Sequence, residues 1–152
     1  MLKDHKKYSG DYFIGLANSL TGDVAKFSDK INSDRKIPDT LLKDMTGLGF
    51  FKLLMPSKLT GFEIDFVKYL EIINIVSRVD ASVAWCLNQN NVLATLSAFM
   101  PEELALEIWK NPDTVLSNGP PLGASAEVSE NGYILNGRWD FSSGFPHSTW
   151  LV

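Results

Sequence analysis

Two closely spaced Asn-Gly pairs, Asn131-Gly132 and Asn136-Gly137, constrain this chain more than any other stretch. Asn-Gly is a strong hairpin signal, because both central positions of a type I′ turn need φ > 0. The first pair predicts a turn between a strand starting near Ala124 and another starting at Tyr133. The second follows too soon for another hairpin and reads as a bulge or bend that re-aims the strand before Trp139. Beyond it, Trp139-Asp140-Phe141-Ser142-Ser143-Gly144 alternates large aromatics with small polar groups, the pattern of a sheet face carrying a flat ligand. Period two then predicts Phe141 and Ser143 on one face and Ser142 on the other. Trp150-Leu151-Val152 reads as a further strand.

Upstream of these strands the apolar period is helical. From Tyr8 to Ser33, residues Phe13, Leu16, Ala17, Leu20, Val24, Phe27 and Ile31 fall on one face of a long helix. Asp34-Arg35-Lys36 is a charged break, and Ile37-Pro38 opens a second helix with proline in its first turn, where no N–H is missed. Phe50 to Met55 is a short apolar run closed by Pro56. A third helix ends near Val79-Asp80 and is expected to turn Phe66, Tyr69, Leu70, Ile73, Val76 and Ser77 inward. A fourth, Ser82 to Met100, carries Trp85, Leu87, Leu93, Leu96 and Phe99, and Pro101 opens a last one reaching Lys110. Beyond Thr114, glycine, proline and alternating residues replace that period. The expected fold class is therefore α+β: an all-helical domain over residues 1–112, then the beginning of an antiparallel β domain over residues 113–152.

A net charge of -4 and a pI near 5.1 argue against nucleic acid, which selects a clustered basic face. No apolar run approaches the roughly 18 residues of a membrane span. Residues 1–7 are charged with no apolar segment after them, which does not read as a signal peptide, and the lone Cys86 has no internal disulfide partner. The expected compartment is the cytoplasm. His5 and His147 are the only histidines and neither stands in a ligand-spaced cluster, so no metal site is expected. Cys86, in an apolar helix, reads as a small buried hydrophobe rather than a nucleophile. Glu102, Glu103 and Glu107 read as a solvated helix face.

Asn88-Gln89-Asn90-Asn91 interrupts the apolar pattern of the fourth helix. A buried amide left without partners costs about 1–3 kcal/mol per group, so these side chains line a cavity, a subunit contact or solvent at a kink. Trp85, one turn earlier, reads as core or as a substrate platform. These residues alone stop short of a reaction.

Four stretches follow one another in a specific order: Asp34-Arg35-Lys36-Ile37-Pro38, Gly49-Phe50-Phe51-Lys52-Leu53-Leu54-Met55-Pro56, Glu71 through Trp85 with its Asp80-Ala81-Ser82-Val83-Ala84-Trp85, and Asn136 through Gly144. Together they resemble the acyl-CoA dehydrogenase superfamily, and most closely its flavin-dependent monooxygenase branch. The resemblance spans roughly Ala17 to Val152. It implies an N-terminal helical domain, a middle β domain against which a flavin lies, and a C-terminal four-helix bundle. Gly137 through Phe141-Ser142-Ser143 matches the family's Gly-x-x-x-Trp-Ile-Thr strand, whose hydroxyl residue contacts the flavin. The resemblance thus implies Ser143 as the leading cofactor residue, with Phe141 and Ser142 beside it and Ser117 and Asn118 on the family's other flavin-contacting strand. Trp85, Asn88 and Asn91 fall on the helix that faces the substrate in such enzymes.

The activity implied is that of the oxygenase component of a two-component monooxygenase, using reduced FAD or FMN and O2 on an aromatic or similar small substrate. Its implied partners are that substrate, a flavin reductase and further copies of itself, with no nucleic acid and no membrane. An acyl-CoA dehydrogenase acting on an acyl thioester is the alternative chemistry. Thr60-Gly61 stands where the family usually has Gly-Gly, and Asn91 lies near a position where some monooxygenases place a histidine. The chain stops inside the β domain, so the expectation is a fragment. The dehydrogenase base and the monooxygenase's substrate-activating histidine belong to the bundle, and no catalytic residue is assigned. A truncated, non-catalytic remnant or a helical interaction module is the reading from another class.

Overall fold

The computed structural model describes residues 8–152; the expectations for residues 1–7, His5 among them, lie outside the described residues. Helix α1 (Gly10–Asp34) starts where Tyr12 N–H donates to Ser9 Oγ at 3.4 Å. Helix α2 (Asp39–Leu48) follows Pro38 and ends at Gly49, whose φ is 88°. Helix α3 (Phe66–Ser77) is capped by Asp65, which accepts from Val67 and Lys68 N–H at 2.9 and 3.1 Å. Asp80 does the same for α4 (Ala81–Ala94), accepting from Ser82 and Val83 N–H. Each such cap is worth about 1 kcal/mol, because it satisfies helix donors that have no partner within the helix. Helix α5 (Glu102–Ile108) completes the helical part.

The fourth helix is shorter than its apolar run. Thr95 and Ser97 hydroxyls donate to the carbonyls of Val92 and Ala94, both at 2.6 Å, and Thr95–Ala98 tightens into a 3-10 turn. Such local side-chain bonds compete with the α-helical ladder. Leu96 and Phe99, expected on the helix, lie exposed beyond it. Helix α3 departs from expectation in its facing. Its buried stripe is Tyr69, Ile72 and Val76, while Phe66 and Leu70 are 59% and 49% exposed. Apolar residues lie all round this helix, so period alone did not choose the side that meets α1.

Those faces build one core from Phe13, Leu20 and Val24 of α1, Leu41 and Met45 of α2, Phe50 and Leu53, and Val83 and Leu87 of α4, around the α3 stripe. Burying side chains of this size contributes about 1.5–3 kcal/mol each. A smaller cluster, with Met55, Leu93, Ile108, Trp109 and Leu116, joins α4 and α5 to the strands.

Strand β1 (Leu116–Ser117) pairs parallel with β4 (Trp150–Leu151), and β2 (Pro121–Ser129) pairs antiparallel with β3 (Gly132–Trp139). The parallel pair is possible because the whole hairpin intervenes and brings the chain back in the same direction. The hairpin exists, but its turn is shifted by one residue. Ser129 pairs with Gly132, so Glu130 and Asn131 are the central residues, and neither has positive φ. Only Gly132 does, which makes this a turn relieved by the glycine after it and not a type I′ turn. The bend at Asn136-Gly137 is also present, with the extra residue on the opposite strand. Gly123 and Ala124 lie between the Leu122–Arg138 and Ser125–Asn136 pairs, and Gly123 takes a φ of 60°. Every residue of β2 and β3 is exposed.

Candidate functional site

The hairpin's second strand ends at Trp139, before the aromatic and serine residues predicted to continue it. Phe141 has a φ of 54°, and Ser143 N–H closes back onto the Phe141 carbonyl at 2.7 Å. A left-handed residue and a two-residue turn break the alternation, so the period-two assignment of Phe141, Ser142 and Ser143 to sheet faces is corrected. Phe145 N–H then donates to the Ser142 carbonyl at 3.0 Å, leading into a 3-10 turn at Phe145–His147. Phe141 is left 90% exposed.

This reversal brings together residues from three elements. The indole N–H of Trp85, on α4, donates to Ser143 Oγ at 2.8 Å. The hydroxyl of Ser117, on β1, donates to the Ser143 carbonyl at 3.0 Å. Ser142 Oγ bonds the Trp139 carbonyl at 3.2 Å. Asn118 and Ser142 line a 350 Å³ cavity with Gly119, Leu135, Trp139, Leu151 and Val152. Trp85, Ser117, Asn118, Phe141, Ser142 and Ser143 therefore gather around one turn.

Two of the sequence-derived site residues are buried away from any ligand. Asn91 is wholly buried, and its amide is consumed by backbone: Nδ2 donates to Phe50 and Leu87 carbonyls at 2.8 and 3.0 Å, and Oδ1 accepts from Leu53 and Leu54 N–H. It presents no surface to a ligand and serves as a cross-link. Ser117 is likewise fully buried, and its hydroxyl reaches the turn through the Ser143 carbonyl. Asn88 is partly exposed and its Oδ1 accepts from Tyr69 hydroxyl at 2.8 Å. Asn90, absent from the sequence-derived site, donates to the Phe51 carbonyl and accepts from Leu116 N–H, both at 2.7 Å. Its signal was available, since an amide in an apolar helix must find partners.

A second cavity of 380 Å³ shares this turn and is lined by Asn32, Lys36, Ser82, Cys86, Gly144 and His147 among others. His147 Nε2 accepts from Ile37 N–H at 2.6 Å, which ties the turn after β3 to the residue before Pro38. Burial and then the nearby Lys36 charge lower its pKa, so it is held neutral. Burial, with a smaller contribution from Asp80, raises the pKa of the Cys86 thiol, which keeps it protonated and unreactive. Among the described residues no group of three His, Cys, Asp or Glu side chains converges as a metal site, and no helix is long and apolar enough to cross a membrane.

The family model described as "Acyl-CoA dehydrogenase, N-terminal domain" matches residues 17–107. The chain is 31% identical over 120 residues to the flavin-dependent monooxygenase, oxygenase subunit HsaA, of Rhodococcus jostii (strain RHA1), covering 78% of this chain and 31% of that protein. It is 29% identical over 141 residues to the oxygenase component of the FADH(2)-dependent resorcinol hydroxylase of Rhizobium sp. (strain MTP-10005), covering 88% of this chain and 34% of that one. The crystal structure of the HsaA monooxygenase from M. tuberculosis superposes with a TM-score of 0.85 at 25% identity, covering 94% of this chain and 38% of that chain. The chain thus spans about a third of the length of the curated relatives it matches.

Proposed function

Because this chain belongs to the acyl-CoA dehydrogenase superfamily, in its flavin-dependent monooxygenase branch, we propose that it forms part of a two-component monooxygenase's oxygenase component. In this reading a separate reductase supplies reduced FAD or FMN, and the substrate is an aromatic or similar small molecule. The relatives' names support that assignment over action on an acyl thioester, since those cited are oxygenase components. When bound, the reduced flavin supplies the electrons that activate O2.

One observation carries the reading: Phe141, at a φ of 54° and 90% exposed, is held out beside a serine whose hydroxyl is bonded from α4 and whose carbonyl is bonded from β1. A left-handed phenylalanine costs about 1–2 kcal/mol, and strain of this kind persists where surrounding structure enforces it, often at binding sites. The residues present fit a flat ring with an apolar body and a polar edge. Phe141 offers an aromatic face, Ser142 and Asn118 offer polar groups in a cavity otherwise lined by Leu135, Trp139, Leu151 and Val152, and Ser143 offers a hydroxyl. In this assignment Phe141, Ser142, Ser143 and Asn118 hold the flavin, with Ser117 supporting Ser143 from the core. Trp85, about half exposed, and Asn88 stand on the side of α4 assigned to the substrate.

The role of these side chains is to bind and orient, since pre-placed hydrogen-bond donors stabilise charge that develops on a bound ring. The test is reduced-flavin titration under anaerobic conditions for wild type and Phe141→Ala. Saturable binding that weakens in the variant is expected; a wild-type chain that binds no reduced flavin refutes the assignment.

A further inference from the structure

We infer that Trp85 is a positioning residue for Ser143, turning its hydroxyl into a directed hydrogen-bond donor toward the bound ring. The inference rests on the flavin reading of the same site. Ser143 is held at each of its polar groups. Its N–H donates to the Phe141 carbonyl at 2.7 Å, its carbonyl accepts from Ser117 Oγ at 3.0 Å, and its Oγ accepts from Trp85 Nε1 at 2.8 Å. Among the described residues the Ser143 hydroxyl hydrogen has no acceptor.

The sense of the Trp85 bond cannot reverse. An indole N–H only donates, whereas a serine hydroxyl carries one donor and two acceptor lone pairs. With an acceptor position filled from α4, the hydroxyl hydrogen is directed away from Trp85. Accepting one hydrogen bond also polarises a hydroxyl into a stronger donor for the next. The anchor is rigid, because Asn90 and Asn91 tie α4 to the backbone of residues 50–54 through buried bonds. The helical part of the chain thereby sets the direction of a hydroxyl carried by the turn after β3. Trp85 is 53% exposed, so replacing it with phenylalanine removes the N–H without opening the core.

The experiment uses the full chain, with Trp85→Phe, Ser143→Ala and the double variant. First, the indole N–H resonance of Trp85, assigned by its loss in Trp85→Phe, is followed by NMR without flavin. Ser143→Ala is expected to shift it and speed its exchange with water; an unmoved resonance overturns the hydrogen bond and the inference. Second, oxidised and reduced flavin affinities are measured for all four proteins. Each single variant is expected to weaken reduced-flavin binding about three- to tenfold, with the double variant no weaker than Ser143→Ala alone. The ratio of reduced to oxidised affinity is expected to move in the same direction in both single variants, which a merely structural role would not produce. Additive losses, or a Trp85→Phe protein that binds like wild type, overturn the inference and leave the flavin reading standing. A wild-type chain that binds no reduced flavin overturns that reading, and the inference with it.

Discussion

Leu116 N–H donates to Asn90 Oδ1 at 2.7 Å, and this bond hangs the first strand from the fourth helix. The other end of the same amide holds the Phe51 carbonyl, so one side chain, 1% exposed, joins helix, loop and strand. Asn90→Ala strands a buried carbonyl and a buried N–H. The expected loss is about 2–6 kcal/mol, because each unsatisfied buried group costs about 1–3 kcal/mol. Urea unfolding with an unchanged denaturant slope measures it; a loss below about 1 kcal/mol would mean the cross-link is unimportant.

Phe141 sets stability against binding. Phe141→Gly removes a left-handed phenylalanine whose side chain is exposed, and glycine adopts that conformation freely. After the entropy of a freer unfolded chain is deducted, the variant is expected to unfold at equal or higher denaturant, by up to about 1 kcal/mol. Reduced-flavin affinity is expected to fall in the same protein. A variant that is less stable and binds flavin as wild type does would contradict both halves.

Thr60-Gly61 behaves as two opposite cases. Thr60 has a φ of 71°, costly for a β-branched residue, and its N–H bond to the Ser57 carbonyl survives in Thr60→Gly. That substitution is expected to stabilise by about 0.5–1 kcal/mol. Gly61→Ala is expected to destabilise by more than about 1 kcal/mol, because a Cβ there would collide with the Met55 carbonyl. Paired thermal melts decide this; the expectation fails if the two variants shift in the same direction.

His147 makes stability depend on pH. Its Nε2 must be unprotonated to accept from Ile37 N–H, and burial and Lys36 lower its folded-state pKa against the opposing pull of Asp39 and the Gly144 backbone. The unfolded chain, with histidine near 6.5, therefore binds the proton more readily. The contribution is fully present above pH 6.5 and is lost as pH falls through the lowered folded-state value. His147→Gln, which does not titrate, is expected to flatten that part of the stability profile. A variant with the same acid slope as wild type would locate the proton elsewhere.

Local chemistry is legible in the residues themselves. Asp65 and Asp80 start helices wherever the chain runs, Pro38 stands at the cap just ahead of one and not in its first turn, and the hairpin between Ala124 and Tyr133 follows from glycine placed between alternating strands. Order and spacing along the chain carried the family. Facing and contact were decided only in three dimensions. Helix α3 is apolar on several sides, and docking against α1 selected Tyr69, Ile72 and Val76 over Phe66 and Leu70. Asn91 reads as a polar residue free to meet a ligand until its four bonds to distant and local backbone are seen. Ser143 can be named from the motif, but its partners Trp85 and Ser117 lie far off in sequence, and the turn that delivers it depends on a left-handed phenylalanine. Caps and turns are settled by neighbours within a few residues. The direction of a side chain at the site is settled by packing between elements, which no local pattern encodes.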